Sequence, residues 1–170
     1  MTPQHDKNIK YLFEPRSLAI IGASGDKGKI GHSVISNVIR TGYKGKIFPI
    51  NPKGGEIEGV EAYKSILDVN EEIDVAVLII PAKFAVESVS QCSAKGVKYG
   101  MVITSGFSEI GNAAEERKMV EIAHKGGMRI LGPNIFGIFS VEASLNATFV
   151  PVNIPVGHLG IITQSGALGL

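Results

Sequence analysis

The sequence predicts an α/β protein built on an open parallel sheet with helices on both faces. Short apolar runs alternate with longer amphipathic ones along most of the 170 residues. At least one of the apolar runs, IDVAVLIIP, carries almost no polar alternation, as a strand covered on both faces does. Glycine- and proline-bearing turns punctuate the joins.

The elements follow in order. SLAIIGA (17–23) is a buried strand, and GHSVISNVIR (31–40) places Val34, Ile35, Val38 and Ile39 at helical spacing before Thr41-Gly42 stops it. KIFPIN (46–51) is a second strand, ended by Pro52-Lys53-Gly54-Gly55, and SILDV (65–69) is a short helix. IDVAVLIIP (73–81) is the third strand. AKFAVESVSQCSAKG (82–96) is a helix with Phe84, Val86, Val89 and Cys92 on one face and Gly96 at its C-cap. VKYGMVITSG (97–106) and MRILGPN (128–134) are the fourth and fifth strands, separated by the polar helix AAEERKMVEIAHKGG (113–127). Such alternation implies right-handed βαβ units and a Rossmann-like sheet. Beyond 135 the period is lost, leaving irregular chain with room for one edge strand. HLGIITQSGALGL (158–170) then starts afresh with a strand, a tight turn and the first residues of a helix. Residues 1–150 are therefore expected to form one Rossmann-like domain. Residues 151–170 are expected to be a linker and the truncated start of a second, flavodoxin-like α/β domain, the whole being a piece of a longer protein.

Composition excludes several classes. A net charge of +1 gives no global field for nucleic acid or an anionic membrane. No apolar run approaches the ~20 residues that span a bilayer, and MTPQHDKNIK has no signal-peptide core. One cysteine, Cys92, rules out an internal disulfide and fits a reducing, cytoplasmic setting. No Cys/His cluster has metal-ligand spacing, so no metal is expected. The Glu115–Lys118 run reads as a solvated helix face, and Glu109 as a residue facing solvent or orienting a ligand.

The stretch that carries chemistry is IIGASGDKGKIG (20–31), with Gly22, Gly25, Gly28 and Gly31 spaced three apart after an apolar run. Glycines let backbone amides approach a phosphate, and the helix beginning near Gly31 adds positive potential. The spacing is neither G-x-G-x-x-G nor G-x-x-x-x-G-K-[ST], and no Lys-Ser/Thr pair opens the helix, so a P-loop nucleotidase is out. A nicotinamide dinucleotide calls for an acidic residue at the end of the second strand. Here that strand ends Ile50-Asn51-Pro52-Lys53, with no carboxylate before Glu56. A lysine at that place suits an extra ribose phosphate, as found in either NADP or coenzyme A.

IIGAS and GKIGHSV, FPINPK, VLIIPAKF, VITSGFSE, ILGPNIFGI and IITQSGALG stand in this order from Leu12 onward. Together they resemble the coenzyme A-binding domain of the NDP-forming acyl-CoA synthetases, a family that includes ADP-forming acetyl-CoA synthetase and the succinyl-CoA synthetase α subunit. The resemblance implies binding of coenzyme A or acyl-CoA. It also implies a parent ligase that runs acyl-CoA + phosphate + ADP = acid + CoA + ATP through acyl phosphate and a phosphohistidine. Its partners would be downstream domains and an ATP-grasp domain or subunit. Phosphate contacts carry over onto Gly22, Ser24, Gly25, Asp26 and Lys27, with Lys29 and Ile30 close behind. The coenzyme A lysine falls on Lys53, beside Asn51 and Pro52. An adenine or pantetheine wall falls on Ile80, Pro81 and Ala82. A pantetheine-guiding loop falls on Ile103, Thr104, Ser105 and Gly106, and Asn134 of the GPN motif joins the set.

Two departures matter. Ile135 stands where relatives commonly have cysteine, and none of His5, His32, His124 and His158 matches the phosphorylated histidine. His32 reads as a capping or packing residue. No catalytic residue is therefore expected on this chain. The Pro-Arg-Ser before the first strand resembles the acetate-type ligases. A non-catalytic coenzyme A-binding or regulatory module, such as the synthetase-like part of a protein acetyltransferase, remains an alternative, and an NADP-binding oxidoreductase domain a weaker one.

Overall fold

A computed structural model describes residues 9–166. Helix α1 (Lys10–Phe13) leads into β1 (Ser17–Ile21), α2 (Ile30–Arg40) and β2 (Lys46–Ile50). A small hairpin, β3 (Gly55–Ile57) and β4 (Val60–Ala62), precedes β5 (Val75–Leu78), α3 (Ala85–Lys95), β6 (Tyr99–Val102), α4 (Ala113–Lys125) and β7 (Arg129–Leu131). A second hairpin, β8 (Gly137–Ser140) and β9 (Leu145–Thr148), follows.

The five strands of the main sheet are all parallel and stand in the order β2-β1-β5-β6-β7. The chain leaves β1 toward one edge and then crosses back to β5 on its other side. The carboxyl ends of β1 and β5 therefore form the switch point at which open α/β sheets bind ligands. Strand side chains alternate between two cores, as a period of two requires. Leu18, Ile20, Val75, Val77 and Met101 pack with Val34, Ile35 and Val38 of α2 and with Ile138, Leu145 and Ala147 of the second hairpin. Ala19, Ile21, Ala76, Leu78 and Val102 pack with Val89 and Cys92 of α3 and Met119 and Ala123 of α4. The Rossmann-like α/β sheet with helices on both faces is thus formed as expected.

At the opposite end, Asp74 clips β1 to β5. Its buried carboxylate accepts the Arg16 backbone N–H at 2.8 Å and two guanidinium N–H groups at 3.1 Å each. The Asp74 N–H donates to Ser17 Oγ, whose hydroxyl donates to the Glu72 carbonyl, both at 2.9 Å. The Pro-Arg-Ser motif is therefore a structural clip at the end of the sheet remote from the switch point.

Several local expectations give way to tertiary context. The helix expected over 82–96 opens with a 3-10 turn at Ala82–Phe84, and its α-helical part starts at Ala85. That rotation buries Ala85, Val89 and Cys92 and leaves Phe84 51% exposed. The short helix expected over 65–69 is a single 3-10 turn, Ile66–Asp68, held by a Ser65/Asp68 capping box. The irregular region after 135 folds as the antiparallel pair β8–β9. Asn146 and Thr148 of β9 are wholly buried, and Asn146 Oδ1 accepts both the Thr148 N–H and its hydroxyl. Asn37 of α2 reaches the same segment, donating to the Thr148 and Val150 carbonyls at 2.9 and 3.0 Å. The strand expected at the start of 158–170 does not form within the described residues. Leu159, Ile161 and Ile162 are exposed and pair with no strand there. A strand without a neighbour has no partner for its backbone groups. Residues 167–170, where a helix was expected to begin, lie outside the described part.

Candidate functional site

The four glycines of the first loop divide by role. Gly22 adopts φ +94°, and a Cβ there would stand 2.1 Å from the Ile79 carbonyl oxygen. A Cβ on Gly31 would stand 2.0 Å from the Gly22 carbonyl oxygen. These two glycines let β1, β5 and the start of α2 come together at the switch point. Gly25 is different: its φ is unexceptional and a Cβ would meet nothing within 4 Å. At Gly28 a Cβ would touch only Asp26, at 3.5 Å. The middle of the loop thus has glycine where the fold does not ask for it, over open space, next to a helix that no side chain caps.

Hydrogen bonds brace this loop from within. The Asp26 N–H donates to Ser24 Oγ and the Gly28 N–H to Asp26 Oδ1, each at 3.1 Å. Lys29 lies 3.6 Å from the Asp26 carboxylate. The Gly28 hydrogen bond, helped by Lys29, holds the Asp26 carboxyl below the usual carboxylate range. Asp26 and Ser24 therefore shape the loop, whereas Lys27 forms no ion pair among the described residues. Asn51 ties the loop to the end of β2: its Nδ2 donates to the Ala23 carbonyl at 2.8 Å, and its Oδ1 accepts the Lys53 N–H at 2.9 Å. Pro52 and Lys53 are exposed, and Lys53 likewise forms no ion pair among the described residues.

On the other side of the switch point lies a cleft of about 360 Å³, walled by Ile30 and Gly31 of α2, Ile79 to Ala82 after β5, and Ile103 to Ser105 after β6. Thr104 joins the two strand exits. The Ile80 N–H donates to Thr104 Oγ1 at 3.2 Å, and the hydroxyl donates back to the Ile80 carbonyl at 2.8 Å. Asn134 is exposed in the left-handed region (φ +55°), its N–H donating to the Thr104 carbonyl at 3.0 Å. Gly106 (φ +111°) closes the loop against Ala82, whose Cβ would lie 3.1 Å from one added there. Glu109 is exposed, in keeping with one of its two expected placements, and also accepts the Gly106 and Phe107 N–H groups. Glu116, expected on a solvated face, accepts the Ser108 N–H at 3.1 Å. Ile79 lines the cleft and was missed, because within a long apolar strand nothing marks the residue at which the strand exits. His32 makes no capping hydrogen bond and packs instead, its side chain 13% exposed and its Nε2 3.0 Å from Glu58 Oε1, in the turn of the β3–β4 hairpin.

The Gly106 hydrogen bond holds the Glu109 carboxyl low, as the Gly28 bond holds that of Asp26. A lowered folded-state pKa gives stability that is present above the ordinary carboxylate value of about 4 and is lost as pH falls through the lowered one. Both carboxylates are thus ionised at neutral pH, the form in which they accept these amide bonds. We expect the Gly28 and Gly106 amide resonances to titrate below pH ~4, each with a midpoint under that of an unperturbed carboxyl. Midpoints at or above it would show that these carboxylates do not brace the loops.

A five-stranded parallel sheet with an open glycine loop, two lysines that form no ion pair among the described residues, and a partly apolar cleft at the carboxyl ends of its strands defines the class: a Rossmann-like α/β domain. The model of the family described as CoA binding domain matches residues 16–140, and the chain belongs to that family. It is 49% identical over 169 residues to the acetate–CoA ligase (ADP-forming) I subunit alpha of Pyrococcus furiosus, covering 96% of this chain and 37% of that one. Against the acetate–CoA ligase (ADP-forming) of Methanocaldococcus jannaschii it is 47% identical over 163 residues, covering 96% and 23%. Acetyl-coenzyme A synthetase 1 of Ca. Korarchaeum cryptofilum, solved with phosphate and ADP, superposes with a TM-score of 0.92 at 45% identity, over 95% of this chain and 35% of that one. The chain thus spans between 23% and 37% of the length of these relatives. Among the described residues no helix is long and apolar enough to cross a membrane, and no three His, Cys, Asp or Glu residues are grouped to hold a metal ion. Burial pushes the Cys92 thiol up to about 12, so it is no nucleophile at neutral pH.

Proposed function

We propose that this chain is the coenzyme A-binding part of an ADP-forming acyl-CoA ligase acting on acetate, working in the cytoplasm. The observation that carries the reading is that loops leaving the carboxyl ends of the strands carry three things: open space over Gly25 and Gly28, two lysines that form no ion pair among the described residues, and a partly apolar cleft. These fit coenzyme A part by part. The loop amides and Lys27 suit the pyrophosphate, Lys53 suits the ribose phosphate, and the walls from Ile80, Pro81 and Ala82 suit the adenine or the pantetheine arm. Ile103, Thr104 and Ser105 line that cleft, and the loop they form with Gly106 would aim the arm. The likeness to acetate–CoA ligases supports the acyl group and ADP as the nucleotide. On this reading the chemistry through acyl phosphate and phosphohistidine belongs to further domains, with an ATP-grasp domain or subunit as partner. This chain's residues bind and orient.

Calorimetric titration of the protein with coenzyme A, NADPH and NADH tests the reading. Coenzyme A should bind, and bind tightest of the three. Tighter binding of NADPH would sink it.

A further inference from the structure

Glu58 occupies a conformation that its side chain does not favour. The two-residue turn of the β3–β4 hairpin places Glu58 at φ +52° and Gly59 at φ +78°. Turns of this kind select Asn, Asp or Gly at the first position, because other side chains are strained in the left-handed region. A glutamate held there calls for a compensating contact, and the structure provides one. Glu58 Oε1 lies 3.0 Å from His32 Nε2, in the first turn of α2. The His32 side chain is 13% exposed and so held by its surroundings, while Glu58 reaches it from the exposed turn with a side chain 34% exposed. The hairpin it grips begins at Gly55, two residues after Lys53. Upstream of the turn, Asn51 bonds the Ala23 carbonyl and the Lys53 amide, and the Gly54 N–H donates to the Asn51 carbonyl. The body of the hairpin is held by the β3–β4 pairing and by buried Ile57 and Ala62, which leaves its turn as the part that the His32 contact fixes.

The geometry points to His32–Glu58 as a clasp that fixes the turn of the hairpin following Lys53 against the start of α2, and so sharpens discrimination between coenzymes with and without the ribose phosphate. Glu58 and His32 are positioning residues that act through Lys53. The inference rests on the reading of Lys53 as the partner of that phosphate. Lengthening or loosening this turn would let Lys53 drift while leaving the glycine loop, and hence pyrophosphate binding, in place.

The test compares affinities for coenzyme A and dephospho-coenzyme A in the wild-type protein, Glu58→Gly, Glu58→Asn, Glu58→Gln and Lys53→Ala. Wild type should prefer coenzyme A by about tenfold or more, the scale of a hydrogen bond to a charged group. Gly and Asn both tolerate the backbone of the turn but cannot reach His32, so the preference should fall several-fold in each with no drop in thermal midpoint. Gln keeps an acceptor oxygen at the same reach and should retain the wild-type preference. A wild-type preference surviving in Glu58→Gly and Glu58→Asn overturns the clasp. So does an equal loss of affinity for both ligands. If wild type shows no preference at all, or Lys53→Ala leaves it intact, the assignment of Lys53 fails first and the clasp falls with it.

Discussion

Gly25→Val should abolish coenzyme A binding while leaving the circular-dichroism spectrum and the thermal midpoint of the protein unchanged. The fold tolerates the side chain because its Cβ enters open space and the backbone conformation is one any residue adopts. The ligand does not tolerate it, because a branched side chain there stands between the loop amides and the phosphates they are meant to reach. Losing two hydrogen bonds to a charged group, at ~1.5–3 kcal/mol each, already costs more than about a hundredfold in affinity. Gly31→Val should do the reverse. Its Cβ would stand 2.0 Å from the Gly22 carbonyl oxygen, with backbone on both sides of the clash. Relief requires α2 to move away from β1, which should lower stability by on the order of 3 kcal/mol, readable as a fall in the denaturation midpoint. Two valines in one glycine-rich loop should thus separate cleanly, one removing binding and the other removing fold. If Gly25→Val binds coenzyme A normally, the loop is a turn and the ligand lies elsewhere.

The same pair shows what was legible in the sequence. The periodicity alone placed all five parallel strands and the three long helices, because each apolar run is long enough to declare its period and each is covered by elements close in sequence. Four glycines signalled a phosphate loop, but only the structure divides them into two that the backbone requires and two that it does not. Short elements escaped. The β3–β4 strands have three residues each, too few to show alternation, and Glu58-Gly59 is an unusual turn pair. The β8–β9 hairpin was hidden because its inner positions include Asn146 and Thr148, polar residues made acceptable by bonds to each other and to carbonyls distant in sequence. That exposed Glu109 and half-buried Glu116 also hold loop amides is not legible in the sequence, because a carboxylate in that role has no signature distinct from one in water. Resemblance did what periodicity could not, moving the choice between NADP and coenzyme A to the latter and placing the contacts loop by loop.

Removing the ribose phosphate of the ligand and removing the Lys53 side chain should each weaken binding by ~1–3 kcal/mol, the worth of a charge-assisted hydrogen bond. The decisive quantity is what happens when both are removed together. If the ammonium and the phosphate are partners, Lys53→Ala should cost little against dephospho-coenzyme A, because the contact it made is already gone. The coupling in the double-mutant cycle should then approach the full single loss. Simple additivity would mean that Lys53 acts on the ligand by its general field, or on another group. Salt separates these cases further. A general field between exposed charges fades with a screening length of about 8 Å at physiological ionic strength, whereas a direct contact persists. Lys53 is well placed for such a contact because its backbone is fixed while its side chain is not. Asn51 holds its amide at 2.9 Å, and its ammonium forms no ion pair among the described residues. A lysine already engaged with a carboxylate would have to break that pair on binding, and the measured coupling would be correspondingly small. The arrangement here predicts a large one.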